Sequence, residues 1–490
     1  MLYHALRSAA DIALHWYYAD VVVQGLERIP TEGPLVIVAN HPNALVDALV
    51  VCTTVRRRVR LTAKATLFEQ PMLASLLRAA GVVPLRRVKD ELAARHDGVV
   101  STARNTESFR QVTKALLAGG AVLVFPEGVS HDEPALAPLR TGAARMALTA
   151  VDAGAARLLV IPLGLIFERK EQPRSRVLVR IGEPIAVASW RAATPGGDAE
   201  QLTAEIDARL RHVTLNFASE ARAQRAVALA RALAAITVPP PTLDQPRPLV
   251  AEAELARRVE VATDALQRAP AATTQQTDAF IARVEALEGR LKVRGVALTE
   301  LQISPRLRHG ARFVVREGVV GAAALPVALL GQAMHWIPLR LARALATRQL
   351  ADDPSRDQPA MRTIVLGLGL VALWYVVQAT IVGRWFGALA AAAWLVALVL
   401  ACQVSVVLRD RFRRAWRRAR AYLALRAHPA LREESLTEMR AIVSDGLALE
   451  ASLIAPHAAG VIPVPAGEAE GTDPRGPSAT PHAGPPCADP

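Results

Sequence analysis

Between residues 34 and 190 the chain alternates short apolar runs with stretches in which apolar positions recur every three or four residues. The runs 34–39, 58–62, 81–85, 121–125, 159–165 and 176–181 read as strands, and 44–55, 69–80, 107–118 and 140–153 read as helices between them. This alternation predicts an α/β domain over 25–190, with a parallel or mixed sheet flanked by helices. In such sheets chemistry gathers in the loops at the strand ends. Residues 1–24 mix apolar residues, Trp16 and three tyrosines with scattered charges at helical spacing. They predict a helix that lies either on a membrane surface or as the first helix of the core.

The pattern changes after the α/β stretch. Residues 200–310 carry ordinary helical stripes, interrupted at Val238-Pro239-Pro240-Pro241 and near Pro270, and hold no evident chemistry. Residues 317–410 form a membrane region. The stretch 363–382 has no charge and only Gln378 is strongly polar, enough to cross a bilayer core, and 385–408 is similar. Gly383-Arg384 between them predicts a tight hairpin. The earlier stretch 319–339 contains Pro326, Gln332, His335 and Pro338, which favour a re-entrant or interfacial segment. Residues 411–455 read as a basic then helical cytoplasmic segment, and 456–490, rich in Pro, Gly, Ala and Ser, as a disordered tail.

Composition agrees with this division. At 490 residues the chain holds more than one unit, and 52% hydrophobic residues with a mean hydropathy of +0.22 is high for a soluble enzyme. The formal charge is +13, carried almost wholly by arginine, which fits anionic lipid, phosphorylated substrates or nucleic acid. Seven arginines between Arg409 and Arg420 abut an apolar span, which favours lipid over nucleic acid. Arginines also precede the hairpin, so both of its ends are expected on the cytoplasmic side. Three distant cysteines support neither a disulfide framework nor a cysteine metal site. The charges within the first apolar stretch exclude a secretory signal, so the α/β domain is expected in the cytoplasm.

Candidate chemistry sits just past the strand candidates. The run 34–39 leads into Asn40-His41-Pro42-Asn43, with Asp47 six residues after His41. A base and its orienting acid could be held together there. Phe125-Pro126-Glu127-Gly128 follows the strand at 121–124; its Glu could hydrogen-bond a polyol and its Gly could let backbone approach. The strand beginning at Gly81 ends in Arg86-Arg87, a candidate anion site. Pro162 and Gly164 lie in a further strand, where they could shape a pocket wall or end the strand.

Together, in this order, these four stretches resemble the glycerophospholipid acyltransferase family. His41 and Asp47 fall on its His/Asp motif, Gly81 and Arg87 on its second, Phe125, Pro126, Glu127 and Gly128 on its third, and Pro162 and Gly164 on its fourth. The commonest family form has four residues between His and Asp. The five found here look like a subgroup that includes fungal-type glycerol-3-phosphate acyltransferases and bacterial relatives. Lys64, Ser130-His131 and Thr141-Gly142-Ala143-Ala144-Arg145 also resemble that subgroup. The resemblance implies an acyltransferase-type mixed sheet and a membrane enzyme of phospholipid biosynthesis. His41 would deprotonate a glycerol hydroxyl that attacks an acyl thioester, and Asp47 would orient it. Arg87 with Arg86 would hold the acceptor phosphate, and Glu127 and Gly128 the hydroxyls. The acceptor is expected to be sn-glycerol 3-phosphate or dihydroxyacetone phosphate, with a lysophosphatidate or other lysophospholipid as the alternative within the family. A non-catalytic lipid-binding scaffold is the alternative outside it. The donor would be acyl-CoA or acyl carrier protein; no metal or other cofactor and no nucleic acid is expected, and the partner is membrane lipid at the cytoplasmic membrane. His131 is read as structural.

Overall fold

The structure is a computed structural model that describes residues 2–69, 71–85, 102–238, 249–303, 307–350 and 359–454. Arg86, Arg87 and the expected tail at 456–490 lie outside the described residues.

The chain opens with helix α1 (Leu2–Tyr17), followed by strand β1 (Asp20–Gln24) where helix was expected. The β-branched run Val21-Val22-Val23 favours a strand, and it finds a partner far along the chain in β7 (Arg176–Ile181). The sheet also contains β2 (Leu35–Ala39), β3 (Val59–Lys64), β4 (Val83–Leu85), β5 (Ala121–Val124), β6 (Leu159–Phe167) and the short β8 (Ile185–Ala186). The order is β1-β7-β6-β2-β5-β3-β4, with β8 paired to β6. Strands β6, β2, β5, β3 and β4 run parallel, while β7 and β8 run antiparallel to β6. The expected mixed α/β sheet is therefore present.

Strand β2 is central and buried along its whole length, as a strand covered on both faces must be. Its side chains alternate between two cores. Leu35, Ile37 and Ala39 join α1 and helix α2 (Leu45–Thr54) on one face. Val36 and Val38 join helices α4 (Thr102–Leu117) and α5 (Gly142–Asp152) on the other. Helix α3 (Pro71–Ala80) precedes β4. Leu14, Tyr17 and Tyr18 are fully buried, so α1 is a core helix.

Pro162 lies inside β6, paired with Val38, and β6 continues past it to Phe167. On its other side β6 pairs with β8 through Leu159 and Val160, then with β7 from Leu163 onward. Proline lacks the N–H of a ladder residue, and it stands where the partner changes.

The C-terminal half begins with helices α6 (Val187–Ala193), α7 (Ala199–Val213), α8 (Glu220–Thr237), α9 (Val250–Leu266) and α10 (Ala271–Val293). Helix α9 docks on the sheet through Leu249 and Ala253 against Ile166 and Leu178, and through Glu252, which pairs with Arg176 of β7. Three long helices follow: α11 (Leu307–Leu350), α12 (Pro359–Phe386) and α13 (Ala388–Ala427), each long and apolar enough to cross a membrane. The stretch 319–339, expected to be re-entrant or interfacial, is helical throughout and lies in the middle of α11, with Pro326 and Pro338 inside it. The hairpin turns at Gly387 (φ 86°) rather than at Gly383-Arg384, which continue α12 to Phe386. Only glycine takes that backbone conformation freely.

The apolar helices are attached to the α/β domain at two places. Ala360 and Ile364 of α12 are buried in the same core as α1 and β2. Arg174, in the loop before β7, donates to the carbonyls of His15, Trp16 and Tyr18 at the end of α1, and its Nε lies 2.7 Å from Asp410 of α13. Helix α14 (Pro429–Ile454) then packs back on α8 and α10. Leu298 and Leu301, before the apolar helices, share one core with Ala421 and Leu425 near the C-terminal end of α13 and with Met439 and Ile442 of α14.

Candidate active site

The turn between β2 and α2 is the focus of the site. Asn40 ends the strand by continuing its ladder: its side chain donates to Leu165 O (3.0 Å) and accepts from Leu165 N (2.7 Å). The ring of His41 is thereby delivered to the C-terminal edge shared by β2, β5, β3 and β4. Its Nδ1 lies 2.9 Å from Asp47 Oδ2. Asp47 is 0% exposed, on the first turn of α2. A carboxylate there can only accept, so Nδ1 carries the proton and the Nε2 lone pair is left for an incoming group. The ring is 14% exposed and stacks on Phe125, with centroids 3.9 Å apart and planes 11° from parallel. Phe125 is the first residue after β5, so two parallel neighbours bring ring and ring together.

Asp47 is held in a demanding environment. Oδ2 also accepts from Asn43 N at 2.7 Å, while Oδ1 is buried without a protein partner. Burial pushes the Asp47 carboxyl above its usual range; the hydrogen bond from His41 opposes this, and Lys170 helps. The Asn43 side chain donates to Tyr18 Oη at 2.9 Å. Burial lifts the Tyr18 phenol well above its ordinary value, so it stays neutral.

Glu127 turns inward. Its side chain is 1% exposed, and its carboxylate is occupied by protein donors. Oε1 accepts from His41 N (2.8 Å); Oε2 accepts from Ala137 N (2.9 Å) and from His131 Nε2. His131 Nδ1 accepts from Glu133 N, so Nε2 is the protonated nitrogen. Gly128 has φ 77°, and a Cβ there would fall 2.7 Å from Nε of Arg140, whose side chain lies across it. Pro126 is buried, its carbonyl accepting from Arg140 N.

Of the residues singled out in the sequence, the fold brings His41, Asp47, Phe125, Pro126, Glu127 and Gly128 together at one sheet edge. Pro162 is buried in the sheet as a frame for that edge. Strand β4 stops at Leu85, directly before Arg86 and Arg87, which lie outside the described residues. Sequence reasoning missed Tyr18, Asn43, Asp132 and Lys170. Asn43 sits inside the first motif and could have been asked about; Tyr18 and Lys170 approach from distant segments and carry no local signal.

Residues 20–166 match the family model described as Acyltransferase. Glycerol-3-phosphate O-acyltransferase 2 of Saccharomyces cerevisiae is 45% identical over 84 residues, 17% of this chain and 11% of that protein. Glycerol-3-phosphate O-acyltransferase 1 of the same yeast is 24% identical over 254 residues, 35% of this chain and 33% of that one. An uncharacterized acyltransferase of Schizosaccharomyces pombe is 23% identical over 259 residues, 36% and 38%. The matches thus span well under half the length of these relatives. The crystal structure of the 1-acyl-sn-glycerophosphate (LPA) acyltransferase PlsC from Thermotoga maritima is similar at 20% identity and a TM-score of 0.33, over 43% of this chain and 78% of that one. Residues 20–166, the part that matches the acyltransferase model, carry the His41–Asp47 pair at the edge of their sheet.

Proposed function

We propose that this chain transfers a fatty acyl group from an acyl thioester to the hydroxyl of sn-glycerol 3-phosphate at a membrane surface. The carrying observation is the buried His41–Asp47 pair with Nε2 of His41 left unpartnered among the described residues. The similarity to two yeast glycerol-3-phosphate O-acyltransferases supports this acceptor. As the hydroxyl oxygen attacks the thioester carbonyl carbon, Nε2 takes its proton. The carbon–sulfur bond then breaks, the acyl group stays on the glycerol oxygen, and the imidazolium returns the proton to the departing thiolate. Asp47 stabilises the charged imidazolium throughout. Positioned general-base help of this kind is worth about 10²–10⁴ in rate. Arg87 with Arg86 holds the acceptor phosphate in this reading, as guanidinium forks match phosphate oxygens.

The C-terminal helices serve as the membrane anchor in this reading. Between Ala388 and Phe412 helix α13 rises roughly 36 Å, close to a bilayer with part of its headgroup layers. Exposed Trp385 and Phe386 stand at one end, and exposed Phe412 and Trp416 at the other, as an interfacial aromatic belt requires. The chain before α11 and the chain after α13 share one core, so the segment between them makes an even number of crossings. The apolar hairpin of α12 and α13 supplies two, and α11, read as an interfacial helix, adds none. By the positive-inside rule the seven arginines from Arg409 support a cytoplasmic position for that side.

The test is an acyltransferase assay on membranes carrying the full chain, with labelled acyl-CoA and with glycerol 3-phosphate and lysophosphatidate offered separately. Label in lysophosphatidate that vanishes with His41→Ala is the expected result. Label only in phosphatidate would reassign the acceptor, and transfer unaffected by His41→Ala would overturn the mechanism.

A further inference from the structure

We propose that Ser130, His131 and Asp132 form a positioning clamp on the His41 turn, closed by Lys170, and that Glu127 belongs to this clamp instead of contacting substrate. The turn needs one. Ala44 sits at φ 48° and ψ −128°, a conformation L residues rarely adopt and one that costs energy to hold. Its N–H is caught by Ser130 Oγ at 3.0 Å.

The other backbone groups of the turn are taken in the same way. His41 N donates to Glu127 Oε1 at 2.8 Å, and His41 O accepts from His131 N at 3.3 Å. Pro42 O accepts from Lys170 Nζ at 2.7 Å, and Lys170 is itself tied to Asp132. Asn43 N donates to Asp47, and the carbonyls of Asn43 and Ala44 accept from Val46 N and Asp47 N. Residues 127–132 therefore grip the turn at three points, directly and by way of Lys170 at a fourth.

Chemistry argues against the competing roles. Both ring nitrogens of His131 are used inside the protein, so it has no free base to offer. Glu127 is engaged by three donors and 1% exposed, which leaves it little capacity for a substrate hydroxyl. Lys170 is spent on a carbonyl and a carboxylate, so the cation beside the site holds the turn in place. Fixing the turn fixes the ring of His41 on Phe125, and a base displaced by about 1 Å can lose on the order of 10²-fold in rate.

The kinetic consequence rests on the acyl-transfer reading; the clamp itself does not. Two readouts on the full chain in detergent separate them. Ser130→Ala should speed amide hydrogen exchange in the peptide spanning 40–47, with the rest of the domain unchanged. It should lower kcat roughly tenfold, the equivalent of about 1.4 kcal/mol at the barrier, while both KM values move less than about twofold. Ser130→Thr, which keeps the hydroxyl, should restore both. Unchanged exchange at 40–47, or an unchanged kcat, overturns the proposal. If Ser130→Ala loosens the whole domain, Lys170→Met decides by the same criteria. If the native chain transfers no acyl group, the function reading fails, and the exchange result alone supports or overturns the clamp.

Discussion

Replacing Asp47 by asparagine separates catalysis from stability. Asp47 Oδ2 receives two hydrogens, from His41 Nδ1 at 2.9 Å and from Asn43 N at 2.7 Å. An asparagine must therefore place its oxygen there, because its NH₂ would face the Asn43 N–H donor to donor. The imidazole keeps its orientation but loses a full negative charge at 2.9 Å as it becomes imidazolium. At an effective dielectric of about 20 that charge is worth roughly 6 kcal/mol. The amide dipole and nearby solvent return part of this, so kcat/KM should fall about 10²–10⁴-fold, or roughly 3–5 kcal/mol. Stability should move the other way. Burial raises the folded-state pKa of Asp47 above its unfolded value. A carboxyl shifted upward supports the fold below its unfolded pKa and loses that support as pH rises through the folded value. At neutral pH its ionised form is a net cost, which the neutral amide removes. The thermal midpoint in detergent should hold or rise while labelled-acyl transfer collapses. Activity within about tenfold of native would refute Asp47 as the stabiliser of a His41 base, and a collapse in the midpoint would refute the account of its burial.

Two further outcomes follow from the geometry. Phe125→Leu keeps an apolar neighbour but removes the ring stacked on His41; at about 0.5–1.5 kcal/mol for an aromatic pair, kcat should fall a few-fold to tenfold with the fold intact, read by kinetics alongside thermal melting. For topology, single cysteines at Phe386→Cys, Glu288→Cys and Glu433→Cys, in a background lacking native cysteines, should divide under an impermeant maleimide applied to intact cells. Position 386 should label, and 288 and 433 only after permeabilisation; opposite behaviour of 288 and 433 would refute an even number of crossings.

Much of the α/β domain is legible from order alone. Runs such as Leu35–Ala39 and Ala121–Val124 are short and apolar on both faces, and they form strands because no helix of that length could bury them. The His41–Asp47 pair is legible for a related reason: six residues across one turn and the start of a helix hold the two in reach of each other. Strand β1 was not legible, because its run Val21–Val23 continues the apolar pattern of α1 and only pairing with β7, more than a hundred residues away, makes it a strand. The hairpin turns at Gly387 and not at Gly383 because both are glycines between apolar stretches and only packing selects which takes the positive φ.

The sequence by itself thus determined the chemistry available: a histidine with its carboxylate, a Phe-Pro-Glu-Gly loop and a pair of helices with long apolar stretches, all set by short-range spacing and hydrophobic period. Only the tertiary structure decided how these are used. It turned Glu127 inward onto the His41 backbone, brought Lys170 and Tyr18 to the same turn, and joined Leu301 to Leu425 across the apolar helices. Such contacts depend on strand order and on which faces meet, and those are properties of the packed whole that no window of the chain contains.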